Sequence, residues 1–118
     1  MMSFALGGLF EGDSPLLPKF AKVDGATSGD NTIVAAVAGK KIRVIAGSLV
    51  MTGTAVTIRF ESAAGGTALT GQMQPLQGNI LPLAFCPVGH FETIAGELLN
   101  MELSGAQSVD GWIVYVEV

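Results

Sequence analysis

From residue 19 onward, the chain is a succession of short runs in which apolar and polar positions alternate, separated by glycine, asparagine, aspartate and serine. A period of two places one set of side chains on a buried face of a strand and the other set on a wet face. The clearest case is Thr54 to Ser62, where Val56, Ile58 and Phe60 point one way and Thr57, Arg59 and Glu61 the other. Leu99, Met101 and Leu103 alternate in the same manner with Asn100, Glu102 and Ser104. In the last run, Gly111 to Val118, Trp112, Val114, Val116 and Val118 share one face, which predicts a core position for Trp112.

The weaker runs complete the pattern. Residues 19 to 24 alternate loosely, 31 to 38 follow a turn at Ser28-Gly29-Asp30, and 40 to 52 form a long run with Gly47 at its middle. A glycine inside a strand marks a bulge or a bend. Ala63-Ala64-Gly65-Gly66 reads as a turn, residues 67 to 75 as a short edge-like segment, and 79 to 86 as a strand interrupted by Pro82. Proline removes one ladder hydrogen bond and so selects an edge or a bulge. No segment has helical period. About eight strands rich in β-branched residues predict an all-β fold of two packed antiparallel sheets, most simply a jelly roll.

Residues 1 to 18 differ from the rest. Phe4, Leu6, Leu9, Phe10, Leu16 and Leu17 are scattered among Gly7, Gly8, Gly12, Pro15 and Pro18 with neither strand nor helical period. Disordered tails are ordinarily polar, so an apolar segment of this kind predicts an extended arm that docks onto a partner, either another copy or another protein, with packing on its own domain as the alternative. The expected organisation is an arm over 1–18 and one β-sandwich domain over 19–118, with the six apolar arm residues as its partner-binding positions.

Composition sharpens this picture. Hydrophobic residues make up 49% of the chain and charged residues only 14%, with mean hydropathy +0.53; soluble domains carry roughly 25% charged residues. No apolar run approaches the roughly 18 to 20 residues of a spanning helix, so the apolar surplus predicts subunit contacts within a symmetric homo-oligomer. The N-terminus lacks the basic region of a signal peptide, which predicts a chain made and retained in a cytoplasm. Net charge is −4, with only six cations, Lys19, Lys22, Lys40, Lys41, Arg43 and Arg59. Phosphate-backbone binding needs clustered ones, which argues against nucleic acid as a partner. A single cysteine, Cys86, leaves no internal disulfide.

Candidate chemistry is sparse. Cys86 and His90 are the residue types of a nucleophile pair, but their spacing is not diagnostic, and they read as a half-buried thiol in a strand and a loop histidine. As metal ligands they are two where structural zinc needs four. Glu92, Glu97 and Glu102 read as surface acids, and Asp24, Asp30 and Asp110 as turn residues bonding nearby backbone. The glycine pairs lack the following helix and lysine of a phosphate loop. Trp112 and Tyr115, with Phe85 and Phe91, are the material of a carbohydrate platform, against which the valines sharing Trp112's face argue. The expectation is a protein that is not an enzyme and has no cofactor or metal.

The stretch "TIVAAVAGKKIRVIAGSLVMTGTAVTIRFESAAGGTALTGQM", followed by "CPVGHFETIAGELLNMELSGAQSVDGWIVYVEV", resembles small jelly-roll virion proteins of tailed bacteriophages, over about three quarters of the chain. The resemblance implies a capsid decoration or cement protein, typically a homotrimer bound to the major capsid protein on the capsid exterior and made in the bacterial host cytoplasm. The alternative it leaves open is a receptor- or glycan-binding module of a tail or head fibre.

Overall fold

The computed structural model describes residues 9–118. In chain order the strands are β1 (Phe10–Glu11), β2 (Ser14–Pro15), β3 (Lys19–Gly25), β4 (Gly29–Val34), β5 (Ile42–Met51), β6 (Ile58–Ser62), β7 (Thr67–Ala68), β8 (Ile80–Leu83), β9 (Phe91–Glu92), β10 (Leu99–Leu103) and β11 (Val109–Glu117). The fold is an all-β sandwich, as the alternation predicts. One sheet has the order β3-β11-β5-β8, with β9 also paired to β5; the other has the order β4-β10-β6-β7; all pairs are antiparallel. From β3 to β11 the chain changes sheet at nearly every connection, and only β6 passes to its own neighbour β7. That is the strand order of a jelly roll. A separate two-stranded hairpin, β1-β2, precedes it. Among the described residues no helix is long and apolar enough to cross a membrane.

Between the sheets lie Ile42, Val44, Leu49 and Met51 from β5, Ile58 and Phe60 from β6, Leu99, Met101 and Leu103 from β10, and Val109 and Ile113 from β11, all essentially excluded from solvent. Phe60 stacks on Phe91, with ring centroids 4.9 Å apart and planes 27° from parallel. In β6 and β10 the apolar sets face the core as read, but the run read from Thr54 becomes a strand only at Ile58, with Val56 partly buried ahead of it. Pro82 also stands where its missing donor matters least, because β8 is an edge strand of its sheet.

The long run around Gly47 contains a bulge, two residues earlier than the glycine. Val114 pairs with Ala46 while Tyr115 pairs with Val44, so Ile45 is the extra residue. Before the bulge Ile42 and Val44 face the core; after it Leu49 and Met51 do. An unbroken strand would have sent one of these sets outward, because alternation has a strict period of two. Gly47 serves the close approach of β11, since a Cβ built there would stand 2.7 Å from the Trp112 carbonyl oxygen.

The expectation for the last strand needs correction. Trp112, Val114, Val116 and Val118 do share a face, but it is the outer face of the five-stranded sheet: the opposite parity, Val109, Ile113 and Tyr115, packs into the core. Trp112 is 49% exposed. The strand is apolar on both faces, so alternation identified the two sets without telling which one the second sheet would cover.

Phe60→Ala is expected to destabilise the fold by about 3–5 kcal/mol, the range for deleting a buried aromatic side chain. Trp112→Ala is expected to fall within about 1 kcal/mol of the parent, as for an exposed position. Urea unfolding of both variants checks the assignment of the two faces.

Candidate assembly surface

The outer face of the five-stranded sheet carries apolar residues in adjacent rows, with Lys22, Asp24 and Asp110 toward one end. Phe20, Val114 and Ala46 form one row, Lys22, Trp112, Ser48 and Pro82 the next, and Asp24, Asp110, Val50 and Ile80 the third. Phe20 is 78% and Ile80 64% exposed, and Phe85, just beyond β8, is 64% exposed. Singly exposed apolar residues are ordinary, but a contiguous group on one face marks an interaction surface.

The lower end of the same face is covered by the chain itself. Leu9 and Leu16, flanking the β1-β2 hairpin, pack with Ile45, Val114, Val116 and Val118 in a small second core on the outside of the sheet. Leu16 N–H donates to the Leu9 carbonyl at 2.7 Å, closing the base of the hairpin. Arg43 clamps it: the guanidinium donates to Glu11 at 3.0 Å and to Glu92 at 2.8 Å. Of the arm residues that the sequence singles out, Leu9 and Leu16 therefore lie on this chain's own sheet, while Phe10 and Leu17 are exposed at 52% and 74%. Phe4 and Leu6 lie outside the described residues. Shallow clefts flank the hairpin, one lined by Leu9, Phe10, Arg43, Pro87 and Val88, the other by Leu16, Leu17, Lys40, Glu117 and Val118.

Electrostatics reinforce the clamp. Burial pushes the Glu92 carboxyl up, but hydrogen bonds and charge from Arg43 and Lys41 outweigh it and hold the group below its ordinary value of 4.5. The hydrogen bond that Arg43 donates to Glu92 is the leading influence that raises Arg43, against its own desolvation.

The outer face of the other sheet is built on the opposite plan. There β4, β6 and β10 bring Asp30, Glu61 and Glu102 together, with carboxylate oxygens within 4.8 Å of one another. Chain spacing gives no hint of this cluster, because its members come from three strands and meet only through cross-strand register. Arg59 donates to Glu61 at 2.6 Å and to Glu102 at 2.8 Å, and the Asn100 amide donates to Asp30 and to Glu61 at 2.9 Å. Glu61 and Asn100 are almost wholly buried although they sit on an outer face. Asp30 also accepts from Gly65 N–H at 3.2 Å, tying down the 63–66 turn. The turn-residue reading of the aspartates is corrected here: Asp30 bonds across strands, Asp110 accepts from Thr52, and Asn31 makes the local turn bond to Thr27.

Cys86 and His90 are not brought together as a pair. The Cys86 thiol faces the Gly89 carbonyl at 3.9 Å, and His90 Nε2 lies 2.6 Å from the Ala84 carbonyl. Glu97 accepts from the Ser62 hydroxyl at 2.6 Å. Phe91 and Tyr115 pack against the core, so of the four aromatic residues considered as a platform only Trp112 and Phe85 are exposed.

No family model and no curated protein matches the chain. Among solved structures it is similar to a chain of the Bacillus endospore appendages, a novel family of disulfide-linked pili, with TM-score 0.55 and 20% identity over 86% of each chain. The likeness is one of fold.

Two outcomes follow from these charges. Because the folded Glu92 binds its proton less readily than the unfolded one, the Arg43–Glu92 pair contributes stability that is present above about pH 4.5 and lost as pH falls through the lower folded value. Thermal melts of Arg43→Met across the acid range should show a flatter loss of stability than the parent. Arg59→Met strands Glu61 beside Asp30 without a cation and should lower Tm; adding Glu61→Gln should recover part of that loss.

Proposed function

We propose that the chain is a structural subunit that acts by assembly: a decoration or cement protein of a tailed-bacteriophage capsid, set on the capsid exterior as a homotrimer and bound to the major capsid protein. The observation that carries the reading is the outer face of the five-stranded sheet, where Phe20, Trp112 and Ile80 stand exposed in adjacent rows beside the arm hairpin, with half-buried Val50 next to Ile80. Such a face suits burial against another protein. Each large apolar side chain that becomes fully buried contributes on the order of 1.5–3 kcal/mol, and a multi-copy lattice multiplies weak contacts through effective concentration. The virion assignment itself comes from the sequence resemblance.

The solved structure of similar fold favours a second reading. That chain belongs to a pilus, and a subunit of a filament would use the same apolar face against the next copy. The two readings share the surface and differ in its partner.

The test combines sedimentation with binding. Under the capsid reading, the purified chain sediments as a trimer and pellets with shells that lack it. Exchanging Phe20 and Trp112 for serine reduces pelleting at least tenfold without changing the urea midpoint. A chain that ignores shells and grows into filaments overturns the capsid reading in favour of the second. A monomer indifferent to shells overturns both.

A further inference from the structure

Three carboxylates on the outer face of the four-stranded sheet share one positive side chain. Asp30, Glu61 and Glu102 offer oxygens that all lie within 4.8 Å of one another. Among the described residues only Arg59 forms an ion pair with any of them. One guanidinium against three carboxylates leaves two negative charges, the charge that a single divalent ion would cancel. Glu61 has no water to screen its share, since its side chain is 1% exposed.

A second observation comes from Asn100. Its side chain is wholly buried and aimed into the cluster, with the amide nitrogen 2.9 Å from Asp30 and 2.9 Å from Glu61. The oxygen of the same amide has no hydrogen-bond partner among the described residues. Buried oxygens are ordinarily paired, and the partner that an amide oxygen and three carboxylates have in common is a hard cation. The two ends of an amide exchange places by a half-turn about its last bond. The same side chain can therefore donate to the carboxylates when they stand alone and present its oxygen to an ion held among them.

Spacing selects the ion. Oxygens on opposite sides of Ca²⁺ stand about 4.6–5.2 Å apart and those on opposite sides of Mg²⁺ about 4.0–4.2 Å, and the 4.8 Å spread of the carboxylates falls in the first range. Asp30 is exposed and Glu102 partly so, which gives an ion a way in from solvent. We infer that Asp30, Glu61, Glu102 and the side-chain oxygen of Asn100 form a binding site for one divalent cation of the calcium class. The ion ties β4, β6 and β10 together and, through Asp30, the 63–66 turn. Four protein oxygens are fewer than the six to eight that Ca²⁺ takes, and Arg59 competes for two of the carboxylates, so the site belongs at the weak end of calcium affinities, roughly 10⁻⁴–10⁻³ M. It lies on the sheet opposite the apolar face and does not depend on the assembly reading.

The experiment is calorimetric titration of the full chain, freed of metal by a chelator, with CaCl₂ and separately with MgCl₂ at constant ionic strength, together with thermal melts at each concentration. The expected result is one Ca²⁺ per chain, a rise in Tm of about 5 °C at tenfold excess over the dissociation constant, and at least tenfold weaker binding of Mg²⁺. Asp30→Asn and Glu102→Gln, which change the two solvent-accessible members, should each weaken Ca²⁺ binding at least tenfold. Arg59→Met removes the competing guanidinium; it should bind Ca²⁺ more tightly than the parent and recover its lost Tm when the ion is added. In proton–nitrogen spectra the side-chain amide pair of Asn100 should shift on adding Ca²⁺. Absence of heat and of any melt shift in both the parent and Arg59→Met overturns the inference. So does a melt shift that Mg²⁺ reproduces and that survives in Glu102→Gln, since that is screening of surface charge and not a site.

Discussion

A β-strand that is apolar on both faces cannot be satisfied by a two-layer sandwich alone, and β11 is such a strand. Ile113 and Tyr115 turn inward, and Val114, Val116 and Val118 turn outward with Trp112. The strand sits in the interior of its sheet, between β3 and β5, so its outward residues cannot escape to an edge. The bulge at Ile45 adds to the demand by turning one more large apolar side chain to the outside. Something must cover that face. The arm hairpin is the local answer, with Leu9 and Leu16 laid over Ile45 and Val116 and Arg43 holding Glu11 in place.

The fold was legible because most strands carry one apolar parity. In β6 and β10 the buried set is unambiguous from the residues alone, and the structure keeps it. Pro82 marked an edge for a reason of hydrogen bonding that no tertiary contact can override. Where both parities are apolar, alternation loses its power. Nothing in Trp112-Ile113-Val114-Tyr115-Val116 says which side meets the other sheet, and the choice that placed Trp112 inside reversed the two faces. The bulge was misplaced by two residues for a related reason: Gly47 was the visible irregularity, but its role is to let β11 approach, and the residue that changes parity is an isoleucine with no local signature.

The polar cluster on the other sheet was illegible for a different reason. Asp30, Arg59, Glu61, Asn100 and Glu102 are far apart in the chain and take their meaning only from register: Asn100 pairs with Glu61, and Glu102 pairs with both Arg59 and Asp30. A buried carboxylate is tolerable because every strong charge near it is bonded, Glu61 by Arg59 on one side and by Asn100 on the other. The arm was half legible. Its apolar, aperiodic composition announced docking, but composition cannot say that Leu9 and Leu16 would find their partner on the same chain.

The two outer faces of the sandwich therefore solve opposite problems with opposite chemistry. One carries three carboxylates and one guanidinium, tied to one another by ion pairs and amide hydrogen bonds. The other carries apolar area that a single hairpin covers only in part. A body with one charged face and one apolar face has a direction, because it loses little by keeping the first in water and gains by removing the second from it. That directionality needs no specific recognition residue. The information lies in the contrast between the faces. It is written in the parity of β11 and in the register of β10 against its two neighbours.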